Sequence, residues 1–444
     1  MALPILTGLW THDEDARDPH TPLLTWWALE AKAESDRDAV LRLFADGALW
    51  KHPIVEEAIL ERLMQRWAMA GGKDNLLACA KLLELAPAPK LAGRLLVGLE
   101  NGFAGRAAGA VPDALRDAVS RAWDGGARAT SVTLGLRLGH RPSLDRALSL
   151  ITDEKADRAT RLACLRILGE IDQPHSVPAL LQVMRASPSG PARQEAITAL
   201  TRYADPKVGQ AVLDLYPAKL PEADGVRAAA HNLLASRPAW AKQFLAAVEA
   251  GQVAARAVPL DVVHRLALHK DAEVNRLVAK HWGRVRATPQ EKQREMVRVG
   301  KVLKAGTGDA SAGKKVFADT CGRCHKLYGA GGDVGPELTG YERTNALYWI
   351  ENVIDPSAAI REEYMTFVVQ TADGRTLTGI VAGQDKTTVS LKDQEGRVTR
   401  LDRARIDDLR ASPQSLMPED QLRPLKDQQV RDLFAYLMSK VPPR

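Results

Sequence analysis

At 444 residues the chain is too long for one ordinary domain, and two to four units are expected. Hydrophobic residues at 45% and charged residues at 26% match a globular chain with buried cores. That excludes a mostly disordered chain, a collagen-like repeat and a membrane bundle. The net charge of +6 comes from a scattered excess, 61 Lys+Arg against 55 Asp+Glu. No basic run marks a nucleic-acid arm, and no stretch approaches the ~20 apolar residues of a membrane span.

The opening MALPILTGLW lacks a basic n-region, and its apolar run breaks at Thr11-His12-Asp13-Glu14-Asp15, so it is no secretory signal. From about 20 to 300 the chain reads as amphipathic helices divided by short Pro, Gly and Asp breaks. Pro22 and Pro53 stand where a first helical turn tolerates proline. RLACLRILGEIDQP (Arg161 to Pro174) realigns with RQEAITALTRYADP (Arg193 to Pro206) at an offset of 32 residues. Looser copies follow at Val226 to Pro238 and Leu260 to Trp282. Helix pairs at such a period bury their apolar faces only against their neighbours, which makes an α-solenoid. The pattern resembles HEAT repeats, best between about 150 and 285. The first 150 residues are helical by periodicity without a clean repeat.

Around Lys301 to Ala312 the texture turns small, polar and Gly-rich, as in a linker. The expected division is a helical scaffold over 1–304 and a second domain over 305–444. The second part holds 19 Lys+Arg and 20 Asp+Glu, a charge of −1, against +7 for the first.

Of the four cysteines, Cys79 and Cys164 sit singly in apolar helical patterns and read as small core residues. Cys321 and Cys324 stand together, followed at once by His325. Cys321-Gly322-Arg323-Cys324-His325 is the C-x-x-C-H pattern of covalent c-type haem attachment. Two residues between the thiols put both on one side of a helical turn, and the next residue projects its imidazole at the iron. A redox dithiol and half a zinc site are the alternatives. The first wants a preceding strand where GKKVFADT reads as helix; the second wants two more soft ligands, and the other cysteines lie far away.

GDASAGKKVFADTCGRCHKLYGAGGDVGPELTG resembles the first half of a class I cytochrome c, through Gly313, Phe317, Gly335, Pro336, Leu338 and Gly340. The resemblance implies that the Pro336 carbonyl accepts a hydrogen bond from the haem histidine, orienting the ring and raising its basicity. The distal ligand is then a histidine or methionine. Every other histidine lies at or before His281, which leaves Met365, Met417 and Met438. Ser415-Leu416-Met417-Pro418 precedes an amphipathic helix ending Tyr436-Leu437, like the ligand Met-Pro and terminal helix of that family. Met417 is therefore expected as the second axial ligand, with Met365 and Met438 in packing roles. The expected iron ligands are His325 and Met417, a pair that raises the reduction potential and leaves no open site. Tyr341, Arg343 and Trp349 are candidates for propionate contacts, because that family places such side chains there.

From His325 to Met417 is 92 residues, far more than a compact cytochrome c needs. Between about 365 and 412 the pattern switches to period two. MTFVVQT and RTLTGIVAG flank Asp373-Gly374, and KTTVSLKD and RVTRLDR flank Gln394-Glu395-Gly396, which reads as two hairpins. A small antiparallel sheet of three to five strands is expected there, shielding a haem edge, forming a docking face or merely inserted. The fold class is thus mainly α: a HEAT-like solenoid, then an all-α cytochrome c fold with a small β insertion.

ENVIDPSAAIREEYMTFVV, DGRTLTGIV and SLMP before a YL-ending helix look like the haem-binding C-terminal domains of large bacterial multidomain proteins. That family sets a HEAT-like region before the cytochrome and often a propeller resembling quinone-dependent sugar dehydrogenases further upstream; nothing here corresponds to the propeller. The resemblance implies one covalent haem c, electron transfer without substrate turnover, and redox partners in an upstream dehydrogenase and a downstream acceptor. It also implies an exported, periplasmic setting, so the chain reads as a piece of a longer exported protein or an engineered form. A haem sensor, a protein-binding scaffold and an accessory fragment of a quinone-dependent dehydrogenase are the competing readings. No Ser-His-Asp set, Walker loop, HExxH or dinucleotide fingerprint is present in the sequence, and a di-haem peroxidase would need a second attachment site.

Overall fold

The structure, a computed structural model, describes residues 2–45, 47–105, 110–126, 131–282 and 289–443. Packing divides them into two compact units, Met1–Tyr203 with Ala223–Val226, and Ala204–Glu222 with Arg227–Arg444. The composition break at 304/305 thus falls inside the second unit.

The first unit is a succession of helices packed against neighbours in sequence. Helices Leu60–Ala70 and Pro89–Phe103 make its most extensive pairing. Its core gathers Trp10, Phe44, Trp50 and Trp67, each at most 2% exposed, although the sequence there lacks a clean repeat. Cys79 and Cys164 are fully buried, as core residues. The repeat signal at 161 and 193 falls in helices Arg158–Glu170 and Gly190–Leu200, which start 32 residues apart. Asp157 and Ser189 cap their N-termini by accepting hydrogen bonds from the Thr160 and Ala192 amides. The Tyr203 hydroxyl donates to the Leu168 carbonyl and ties the two copies together.

In the second unit four helices and one sheet position the site. They are α1 (Pro289–Lys304), α2 (Ala310–Thr320), α3 (Ala346–Ile354) and α4 (Asp427–Leu437). The strands are β1 (Thr366–Thr371), β2 (Thr376–Gln384), β3 (Thr388–Lys392), β4 (Val398–Asp402) and β5 (Ile406–Ala411). The sheet is antiparallel throughout, in the order β4-β3-β2-β1-β5. Both expected hairpins form, with Gly374 and Gly396 supplying the positive φ their turns require.

Although α1 belongs by composition to the helical part, Met296, Val299, Val302 and Leu303 join one apolar cluster with Phe317, Trp349, Val430 and Phe434. The sheet is also docked within this unit. The Thr376 amide donates to the Ser236 carbonyl at 2.9 Å, and the buried Arg237 guanidinium donates to the Asp373 carbonyl. His269 Nε2 donates to the Ala235 carbonyl at 2.8 Å, so Nδ1 accepts from the Thr376 hydroxyl. Burial raises the Asp373 carboxyl, but Arg375 beside it outweighs this and holds the pKa down to about 2. The insertion is therefore bonded to the helices before the cleft rather than hung on a loop.

Candidate functional site

α2 begins at Asp309, whose carboxylate accepts from the Ser311 and Ala312 amides. It crosses α4 at Gly313, where an added Cβ would stand 1.9 Å from the Asp432 carbonyl oxygen. Only glycine allows that approach, and it brings Phe317 edge-on to Tyr436 at 5.4 Å. α2 stops at Cys321. The Cys321 amide donates to Phe317 O, and the next turn closes through Cys324 and His325 amides donating to Cys321 O at 3.1 and 2.9 Å.

The loop after the motif then wraps the imidazole. The Gly335 amide donates to Cys324 O at 2.8 Å, and a Cβ on Gly335 would lie 2.5 Å from His325 Cε1. His325 Nδ1 lies 2.9 Å from the Pro336 carbonyl. A carbonyl only accepts, so Nδ1 carries the proton and Nε2 keeps a lone pair. Burial lowers the His325 pKa against the opposing effect of that hydrogen bond, which keeps the ring neutral and able to ligate.

Burial pushes the Cys321 thiol up to about 11 and raises Cys324 as well. Cys324 Sγ reaches the Gln394 carbonyl at 3.7 Å, so the β3–β4 turn rests on the motif. Met417 lies in the segment leaving β5. Three hydrogen bonds shape it: the Ser412 amide to Thr366 O, the Ser415 amide to Ser357 Oγ and the Met417 amide to Ser415 Oγ.

These elements enclose an open cavity of about 200 Å³. Cys321, Cys324, His325, Pro336, Tyr341, Trp349 and Met417 all line it, among Val334, Leu338, Val353, Ile360, Leu416 and Leu437. A lone-pair nitrogen, a thioether sulfur and two thiols around one apolar cleft form the donor set a covalent haem needs, and the residues present fit that group. Among the described residues no group of three or more His, Cys, Asp and Glu is gathered to hold a metal ion.

Arg343 is the expected site residue that the cavity lining lacks. Its guanidinium donates to the Leu437 and Leu338 carbonyls and lies over the Tyr328 and Trp349 rings, so it braces the end of α4. Trp349 lines the cavity, but its indole N–H donates to Glu342 O at 2.7 Å, leaving only the ring face to offer. Sequence reasoning missed Arg361, Tyr348, Tyr364 and Gln394, all of which line the cleft. Arg361 lies over the Tyr341 ring at 5.1 Å. No periodicity marks these positions, because they sit in turns or on one face of a short helix. Met365 follows a helical turn outside the lining, and Met438 packs in the apolar cluster.

Comparison with known families matches residues 310–440 to cytochrome c and residues 112–201 and 144–235 to HEAT repeats. This is a HEAT-repeat protein with a C-terminal cytochrome c domain. No curated protein matches the chain. The cytochrome c domain supports haem-based electron transfer, with a haem cofactor and redox partners, and the HEAT repeats give a helical scaffold. Among the described residues no helix is long and apolar enough to cross a membrane. The cytochrome c match begins at 310, so α1 stands outside it although it shares the domain's core.

Proposed function

We propose that the chain carries electrons through one haem c bound covalently to Cys321 and Cys324, with His325 and Met417 as axial ligands and no substrate turnover of its own. The observation that carries this reading is the pairing of a histidine fixed by Pro336 with a methionine lining the same cleft. Bound haem supplies a one-electron couple at its iron. The protein's own residues do the rest. The Pro336 carbonyl holds the Nδ1 proton and makes Nε2 the ligand; the apolar walls exclude water and favour the less charged, reduced state. Arg361 and Tyr341 at the cleft are the side chains suited to the propionates, in place of Arg343. The partners in this reading are a dehydrogenase as donor and a downstream acceptor, in an exported setting where such haem is attached.

The test is to export the chain behind a signal peptide in a host that matures c-type cytochromes, then record oxidised and reduced spectra. Sharp reduced c-type bands with a far-red sulfur-to-iron band in the oxidised form are expected. Met417→Ala should remove the far-red band, lower the potential and admit exogenous ligands. The same changes in Met365→Ala instead, or denaturant-resistant haem when both Cys321 and Cys324 are replaced, would overturn the assignment.

A further inference from the structure

Lys292 stands on α1, ahead of the cytochrome c match. Its ammonium lies between two carboxylates, 2.6 Å from Asp355 Oδ1 and 2.8 Å from Glu419 Oε1. The three side chains are only 14%, 26% and 10% exposed. An exposed pair would contribute little, but removing one partner of a buried set leaves an uncompensated charge.

The position of the two carboxylates gives the cluster its meaning. Asp355 terminates α3 and precedes Pro356, which lines the cleft. Glu419 lies two residues beyond Met417. On the other flank, two residues before Met417, the Ser415 amide donates to Ser357 Oγ at 3.1 Å. The turn at 355–357 is thus tied to both flanks of Met417, directly at Ser357 and through Lys292 at Asp355. The base of the tie is firm, since α1 is packed into the cluster by Met296, Val299 and Val302.

We propose that Lys292 is a positioning residue for Met417, holding the methionine segment closed against the exit of α3 through Asp355 and Glu419. The inference rests on the reading of Met417 as an axial ligand. With the tie intact, the thioether stays over the cleft. With it broken, the segment opens more often, and an added ligand competes in proportion to the open fraction.

The test uses the exported holoprotein as wild type, Lys292→Met, Lys292→Arg, Glu419→Gln and Met417→Ala. The readouts are the far-red band and imidazole binding to the oxidised form, with circular dichroism to establish folding. Lys292→Met and Glu419→Gln should each bind imidazole ~10-fold more tightly or better and weaken the far-red band. Lys292→Arg should stay close to wild type, and combining Lys292→Met with Glu419→Gln should add little to the stronger single variant. Wild-type imidazole affinity and an undiminished band in folded Lys292→Met and Glu419→Gln would overturn the proposal while Met417→Ala still loses the band. A band that survives Met417→Ala would overturn the axial reading instead. If Lys292→Met yields no folded holoprotein, Glu419→Gln decides alone, since it keeps the side-chain shape.

Discussion

At single positions, burial with or without a partner decides chemistry. Burial keeps His325 neutral, and a single carbonyl fixes its tautomer. His231, 3% exposed against Tyr216 and Phe244, is also held neutral, and burial lowers its pKa to about 4. Its folded-state value lies below the unfolded one, so the unfolded chain takes up the proton first as pH falls. The stability it contributes is complete above about pH 6.5 and is lost progressively towards pH 4. The full difference is roughly 3 kcal/mol. Denaturant unfolding of the wild type and His231→Gln from pH 7 to 4 should show the wild type losing more stability than the variant; parallel profiles would contradict this. That Cys321, Cys324, His325 and Met417 share one cleft was legible in the sequence, because the C-x-x-C-H spacing and the Met-Pro before a terminal helix mark them. That Arg361 lines the cleft while Arg343 is turned to the Leu338 and Leu437 carbonyls was not, because it depends on which distant groups meet each guanidinium. Lys292 was equally hidden: a lysine in a charged helix looks solvated until Asp355 and Glu419 are folded against it.

At the scale of elements, close approach is set by single small residues. The crossing of α2 and α4 depends on Gly313, and Gly313→Ala would drive a methyl into the Asp432 carbonyl. That overpacking should destabilise the holoprotein by about 1–3 kcal/mol while leaving the haem spectrum unchanged in type. Chemical unfolding measures it, and an unaltered midpoint would show that the crossing relaxes freely. Periodicity identified the helices and both hairpins. It carried no trace of the sheet's docking on Ser236, Arg237 and His269, since those hydrogen bonds join residues more than 100 positions apart.

For the whole molecule, haem attachment should stabilise only what the cleft draws on. A bound group favours the folded form of the region that holds it. Hydrogen exchange of apo and holo forms should therefore slow in α1 to α4 and the sheet, while helix Leu60–Ala70 in the first unit exchanges alike in both. Equal slowing in both units would mean that they unfold as one. The amino-acid sequence by itself determined the repeat and the β insertion and pointed to Cys321, Cys324, His325 and Met417, which the fold brings to one cleft, because each is written in local spacing or residue type. Tertiary structure alone decided that α1 joins the cytochrome core, that Arg361 lines the cleft while Arg343 does not, and that Lys292 meets Asp355 and Glu419. Those outcomes depend on distant segments meeting in a water-poor interior, where a charge must find its counter-charge and each hydrogen-bond donor its acceptor.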